Sequence, residues 1–285
     1  MANAAYGSGL NLDALMVPVQ AATVFAAQEQ SLYLPGTLVP MVDVPAGSAS
    51  AQVAVMGSVT AQTLTVEGNP SADPAVPGPQ DFDTVLPGNT KKTIDLDLIA
   101  ARTVLRDFGG VDVNDMGRIM GNSIAAAVDK RISAEMANLT QQEVTDASLL
   151  NEFYKAVGAI RNAGETGQLA AVVSAAAYAE FMEVIGSAAF AAADLQNAAM
   201  RTGALGVIAG VPVFTSAYLN DTNTGVTGTK AAIFGMEALR GATQGGVKLE
   251  VERRAAAVGN DIVASIAFGV TTLDATRGIL LKDAA

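Results

Sequence analysis

Between Asp112 and Leu139, in DVNDMGRIMGNSIAAAVDKRISAEMANL, an apolar residue returns at every fourth position. These are Met116, Met120, Ile124, Val128, Ile132 and Met136, flanked by Ile119 and Leu139. That spacing predicts one amphipathic helix over 113–139, with the stripe buried and the opposite side wet. Asp112 is placed to cap its start, with Asp115 near the positive end. Arg131 and Glu135 are spaced as an i,i+4 pair on the wet side. At ~1.5 Å per residue the helix is a rod of about 40 Å, and any fold has to be laid out along it. The methionine-rich stripe reads as packing surface rather than as a partner groove.

The remaining segments are shorter and mixed in type. PVQAATVFAAQEQ predicts a short helix after a polar, glycine-containing start whose Tyr6 and Leu10 need a surface to lie on. LYLPGTLVPMVDVP is extended, because Pro35, Pro40 and Pro45 break every helical period. AQVAVMGSVTAQTLTVEG alternates as a strand and leads into a proline-rich tip. KTIDLDLIA then returns as a second strand, with Thr93, Asp95 and Asp97 on one face and Ile94, Leu96 and Leu98 on the other. Strand, long tip, strand makes a projecting hairpin. A tip of over 20 residues is long for a compact monomer, and Phe82, Val85 and Leu86 are its main apolar anchors. Further on, Leu149, Phe153, Val157 and Ile160 mark a helix that stops at Gly164. QLAAVVS reads as a buried strand, and Ser174 caps a helix presenting Tyr178, Phe181, Met182 and Ile185. Strands are expected after Gly210, over 231–236 and 247–252, a helix over 259–268, and a short strand at GILLK. With no regular strand–helix–strand period, an α+β fold is favoured over a doubly wound sheet.

Composition removes whole classes of chemistry. The 285 residues include no cysteine and no histidine, so disulfides, thiolate nucleophiles, Cys/His zinc sites and Ser-His-Asp triads are excluded. The net charge is −11 with charged residues only 16% of the chain, which fits a folded protein that repels free nucleic acid. The first 90 residues hold seven acids and no lysine or arginine. One reading is simple solvation; the other sets this region against basic positions elsewhere, including those of another copy. MANAAYGSGLNLDALM lacks the basic start of a secretory signal, and the apolar stretch 169–193 is broken by Glu180, Glu183 and Gly186.

The motifs that tempt a catalytic or cofactor reading fail on spacing. Gly203, Gly206 and Gly210 in GALGVIAGVPVFTSAYL are spaced G-x-x-G-x-x-x-G, not as a dinucleotide fingerprint, and lead into a strand, so they read as a turn. GVTGTK lacks the four-residue spacer of a phosphate loop. Asp95 and Asp97 share a strand face and read as its solvated side rather than as a carboxylate pair. No basic stripe suits a nucleic-acid reader. Catalytic residues, metal ligands and cofactors are all expected to be absent. An arm, a projecting hairpin and a rod-like helix are features of self-assembly.

The order of these elements resembles the Hong Kong 97-like major capsid proteins of tailed bacteriophages. DMGRIMGNSIAAAVDKRISAEM is similar to that family's spine helix. LAAVVSAAAYAEFM resembles a strand and helix of its axial domain, and GALGVIAGVPVFTS the turn and strand that return through it. GNDIVASIAFGVTTLDATRGILL resembles the closing helix and strand of short-tailed phage capsid proteins. The resemblance implies an α+β fold with an N-terminal arm (1–40) and an extended hairpin loop (50–98). A peripheral domain (99–165) would hold the spine helix (113–139), followed by an axial domain (166–250) and a return to the peripheral domain (251–285). It implies a structural protein, not an enzyme, that assembles into hexamers and pentamers of an icosahedral head in the host cytoplasm, around double-stranded DNA bound without sequence specificity. A portal protein, a separate scaffolding protein (no long scaffolding region precedes the arm) and optionally a decoration protein are the implied partners. Assembly contacts are expected at Pro70, Phe82, Val85 and Leu86 of the loop and at Tyr6 and Leu10 of the arm; no cross-link is assigned to Lys91 or Lys92. An encapsulin-like compartment shares the fold, and a binding or adhesion module shares loops such as DTNTGVTG.

Overall fold

The computed structural model describes residues 12–34, 36–55, 90–106, 113–145, 148–186, 206–219, 228–254 and 258–283. The chain begins with helix α1 (Leu12–Gln30), then strands β1 (Met41–Asp43), β2 (Ser50–Val55), β3 (Thr90–Asp95) and β4 (Asp97–Arg106). Helix α2 (Val113–Glu135) follows, closed by a 3-10 turn at Met136–Asn138, then β5 (Thr140–Val144) and α3 (Leu149–Asn162). The next elements are β6 (Leu169–Ser174), α4 (Ala175–Gly186), β7 (Val207–Ile208), β8 (Val211–Ser216) and β9 (Thr229–Gly235). β10 (Leu239–Thr243), β11 (Lys248–Arg254), β12 (Gly259–Thr272), a 3-10 turn and β13 (Gly278–Asp283) complete it.

These elements form two units, one comprising 52–93 and one the rest of the chain. Unit 52–93 holds most of β2 and β3, which pair with each other and with no other strand among the described residues. In the main unit, β12 is the axis of a five-stranded sheet. β10 and β11 run antiparallel to it, β4 pairs with it antiparallel from Asp97↔Phe268 to Arg106↔Gly259, and β1 lies parallel to β10. The other sheet is six-stranded, in the order β5-β13-β9-β6-β8-β7.

Alternation along the strands assigns side chains to two cores. Ala171 and Val173 of β6, Ile233 of β9 and Leu281 of β13 face α3 and α4, where Phe153 and Phe181 meet edge to face at 5.8 Å. Val172, Phe234 and Leu280 point the other way, into a core shared with the α2 stripe and with Ile262, Ile266 and Phe268 of β12. Met116, Met120, Ile124, Val128, Ile132 and Met136 are all buried there. α1 lies beside α2 in the same direction: Gly117 faces Val19 and Ala22, and Gly121 faces Thr23 and Ala26, so the two backbones nearly touch.

Several expectations need correction. Residues 259–268 are strand, not helix: Ile262, Ala264, Ile266, Phe268 and Val270 are buried at a period of two. The run KTIDLDLIA is not one strand. β3 ends at Asp95 and β4 begins at Asp97, where the Asp95 carbonyl occupies the space a Cβ on Gly269 would need. Arg131 does not pair with Glu135 but with Asp97 at 2.8 Å, while Glu135 accepts from the Thr272 backbone N–H at 2.8 Å. Helix α1 starts earlier than expected and contains Pro18. The cap expected at Asp112 lies outside the described residues.

Candidate assembly surface

The hairpin is built from two strands with little to hold them. Gln52, Ala54, Lys91 and Thr93 are exposed, and Val53, Val55 and Lys92 are half-buried. An isolated two-stranded ribbon is marginal in water. Pro70, Phe82, Val85 and Leu86, like Tyr6 and Leu10, lie outside the described residues.

The five-stranded sheet turns Ile262, Ala264 and Ile266 toward α2 and leaves its other face open. On that face Arg102 of β4 forks onto Asp261 of β12, with Nε 2.9 Å from both carboxylate oxygens and Nη2 closing the pair. Arg254 of β11 approaches the same carboxylate at 3.9 Å. The bonds from Arg102 hold the Asp261 carboxyl below its usual range, so two half-exposed guanidiniums share one fixed anion. Glu250 and Glu252 of β11 are exposed nearby, making the face polar and mixed in sign. Leu98 of β4 is an exposed apolar side chain on this same face, and others lie elsewhere: Val17 and Phe25 on α1 and Ile119 on α2. For α1, which carries only Asp13 and Glu29 as charges, this leaves an apolar helix covered on one side.

The stretches with catalytic appearance resolve into structure. Gly206 and Gly210 take positive φ (65° and 76°) around the β7–β8 hairpin, so the turn reading of the 203–210 glycines stands where they are described. Lys230 of GVTGTK is bound by Glu180 at 2.8 Å and Asp283 at 3.0 Å. Asp97 belongs to the Arg131 pair. Among the described residues no three or more acidic side chains are grouped to hold a metal ion, and no helix is long and apolar enough to cross a membrane.

Sequence reasoning missed four anchoring carboxylates. Asp129, Glu152 and Glu165 are buried, and Glu135 binds Thr272. Glu165 takes the Gly167 N–H at 2.7 Å and Arg277 at 3.1 Å, and Glu152 takes Gln142 at 2.8 Å and Lys155 at 2.9 Å. For Asp129 a signal existed: it lies one turn after Ala125 on the buried side of α2, where a charge needs partners. The glycines of GRIMG at 117 and 121 were a second, since G-x-x-x-G on a helix admits a neighbouring backbone.

No protein-family model matches the sequence, and a search of curated proteins finds no match. Solved structures do match. The capsid of the cyanophage P-SCSP1u aligns with a TM-score of 0.67 and 15% identity over 90% of this chain and 89% of that one. A virus-like particle from Pyrococcus furiosus aligns at 0.63 and 11% identity over 93% and 97%. The capsid of a native GTA particle aligns at 0.64 and 14% identity over 91% and 90%. The chain therefore has the mixed α/β, Hong Kong 97-like fold of capsid proteins.

Proposed function

We propose that this chain is a shell-forming structural protein and not an enzyme: the major capsid protein of a tailed, short-tailed-like bacteriophage. In this reading it forms hexamers and pentamers that close into an icosahedral head around double-stranded DNA. The observation that supports it is the fold likeness over about nine-tenths of both chains at a TM-score of 0.67. In the same reading residues 1–40 act as arm, 50–98 as the extended loop, 99–165 with 251–285 as peripheral domain and 166–250 as axial domain. Pro70, Phe82, Val85, Leu86, Tyr6 and Leu10 make contacts between subunits. Scaffolding and portal proteins, and optionally a decoration protein, are the partners, with assembly in the host cytoplasm.

A compartment that encloses a cargo protein is the second reading, favoured by the likeness to the Pyrococcus furiosus particle over 97% of that chain. Electron microscopy of particles made with and without the genomic neighbours separates the two. Closed shells that need a scaffolding protein and take up DNA support the capsid. Shells that form unaided around a co-encoded enzyme support the compartment. A monodisperse monomer under every condition rejects both.

A further inference from the structure

Where α1 ends, the chain is tied to α2 through one carboxylate. Asp129 is only 5% exposed. Its Oδ1 accepts from Ser31 Oγ at 2.5 Å and its Oδ2 from the Leu32 N–H at 3.0 Å. Ser31 Oγ in turn accepts from the backbone N–H groups of Tyr33 (3.3 Å) and Leu34 (3.0 Å), so the turn Ser31–Leu34 hangs on Asp129. Among the described residues no cation pairs with it. Its neighbours on α2 are engaged elsewhere, Lys130 over the Tyr218 ring at 5.4 Å and Arg131 on Asp97. Tyr33 faces it from the α1 side, and burial pushes that phenol up, keeping it neutral. Ser133 of α2 and Ser216 of β8 border the same Tyr33 hydroxyl and do not titrate.

We propose that the seating of α1 on α2 depends on a proton at Asp129: the Ser31–Leu34 turn is held most firmly when Asp129 is protonated and less firmly once it is ionised. An anion without a counter-charge is costly at a buried position, and opening the turn hydrates it. The neutral acid keeps its carbonyl oxygen as acceptor for Ser31 Oγ, gives up the Leu32 N–H bond at the protonated oxygen, and avoids the larger cost of the buried charge. Burial raises the Asp129 carboxyl above its usual range, and the bonds from Ser31 and Leu32 offset this only in part. The closed state therefore binds the proton more strongly than the open one. Seating is strongest below the ordinary aspartate value, weakens as pH rises through the interval up to the shifted value, and is level above it. This device is independent of the shell reading: it concerns how tightly the N-terminal helix is held in one subunit.

Amide exchange along α1 in the full-length soluble subunit, corrected for intrinsic rates, tests it from about pH 4 to about pH 8. Protection should fall by up to about tenfold per pH unit above the ordinary aspartate value and then level off. In Asp129→Asn the profile should be flat. Ser31→Ala keeps the carboxylate but removes a donor that favours the anion, so the falling part of the profile should start at the same pH and extend to higher pH before levelling. A flat profile in the unaltered protein, the same slope in Asp129→Asn, or an unchanged profile in Ser31→Ala would each overturn the proposal.

Discussion

A Cβ placed on Gly121 would lie 2.5 Å from the carbonyl oxygen of Thr23 and 2.7 Å from the Ala26 Cβ. The backbone of α1 thus fills the space a side chain on α2 would use. Gly121→Ala should force the helices apart and cost about 1–3 kcal/mol, read as a lowered denaturant midpoint. Gly158 on α3 meets nothing within 4 Å, so Gly158→Ala should stabilise by ~0.5–1 kcal/mol through helix propensity alone. Equal effects of the two changes would show that α1 is not seated on Gly121.

Ile124 is fully buried in the α2 stripe. Ile124→Asp puts a carboxylate among apolar side chains and should cost about 3–5 kcal/mol, leaving little soluble folded protein. Unchanged thermal unfolding in a soluble Ile124→Asp protein would remove the stripe from the core.

Glu135 accepts from both the backbone N–H and the hydroxyl of Thr272, at 2.8 and 2.9 Å. Glu135→Gln keeps an acceptor oxygen in place and should cost less than about 1 kcal/mol. Glu135→Ala withdraws it and should cost about 1–3 kcal/mol. Denaturant titration of both variants decides; similar losses would mean the carboxylate acts by charge rather than as an acceptor for Thr272.

The long α2 helix, the apolar core stripe and the α+β class were legible because each rests on a repeat sustained over many residues. Residues 259–268 misled because Ala264 and Ala267 lie on opposite faces of β12, so small apolar side chains blur a two-residue alternation into a helix-like run. The Arg131–Asp97 pair joins residues 34 apart, and i,i+4 spacing could not compete with a contact made only after β4 packs near α2. The ion pair of Arg102 with Asp261 was equally hidden, since its two residues are neighbours only through strand register.

The segment between the hairpin strands supplies the sharpest test of the shell reading. In the shell reading a tip of about 20 residues with few apolar anchors gains its order from a neighbouring subunit, because ordering a residue's backbone costs ~1–2 kcal/mol. Replacing Pro70–Pro87 by a short glycine-serine linker should leave the subunit folded, because loop closure depends weakly on length. The same change should block closed shells, seen by electron microscopy, and the unaltered loop should gain exchange protection only on assembly. Normal shells from the deletion, with equal protection in both states, would reject a role between subunits.

β13 is buried between β5 and β9, parallel to the first and antiparallel to the second. A sheet assembled in the order of synthesis would add it at an edge; here it fills a gap left open by residues made much earlier. The β6–β9 pair needs no residue beyond 235, but the six-stranded sheet is incomplete without residues 278–283. The order of folding within this sheet therefore differs from the order of its strands along the chain, and the edges of β5 and β9 stay unpaired until β13 is inserted.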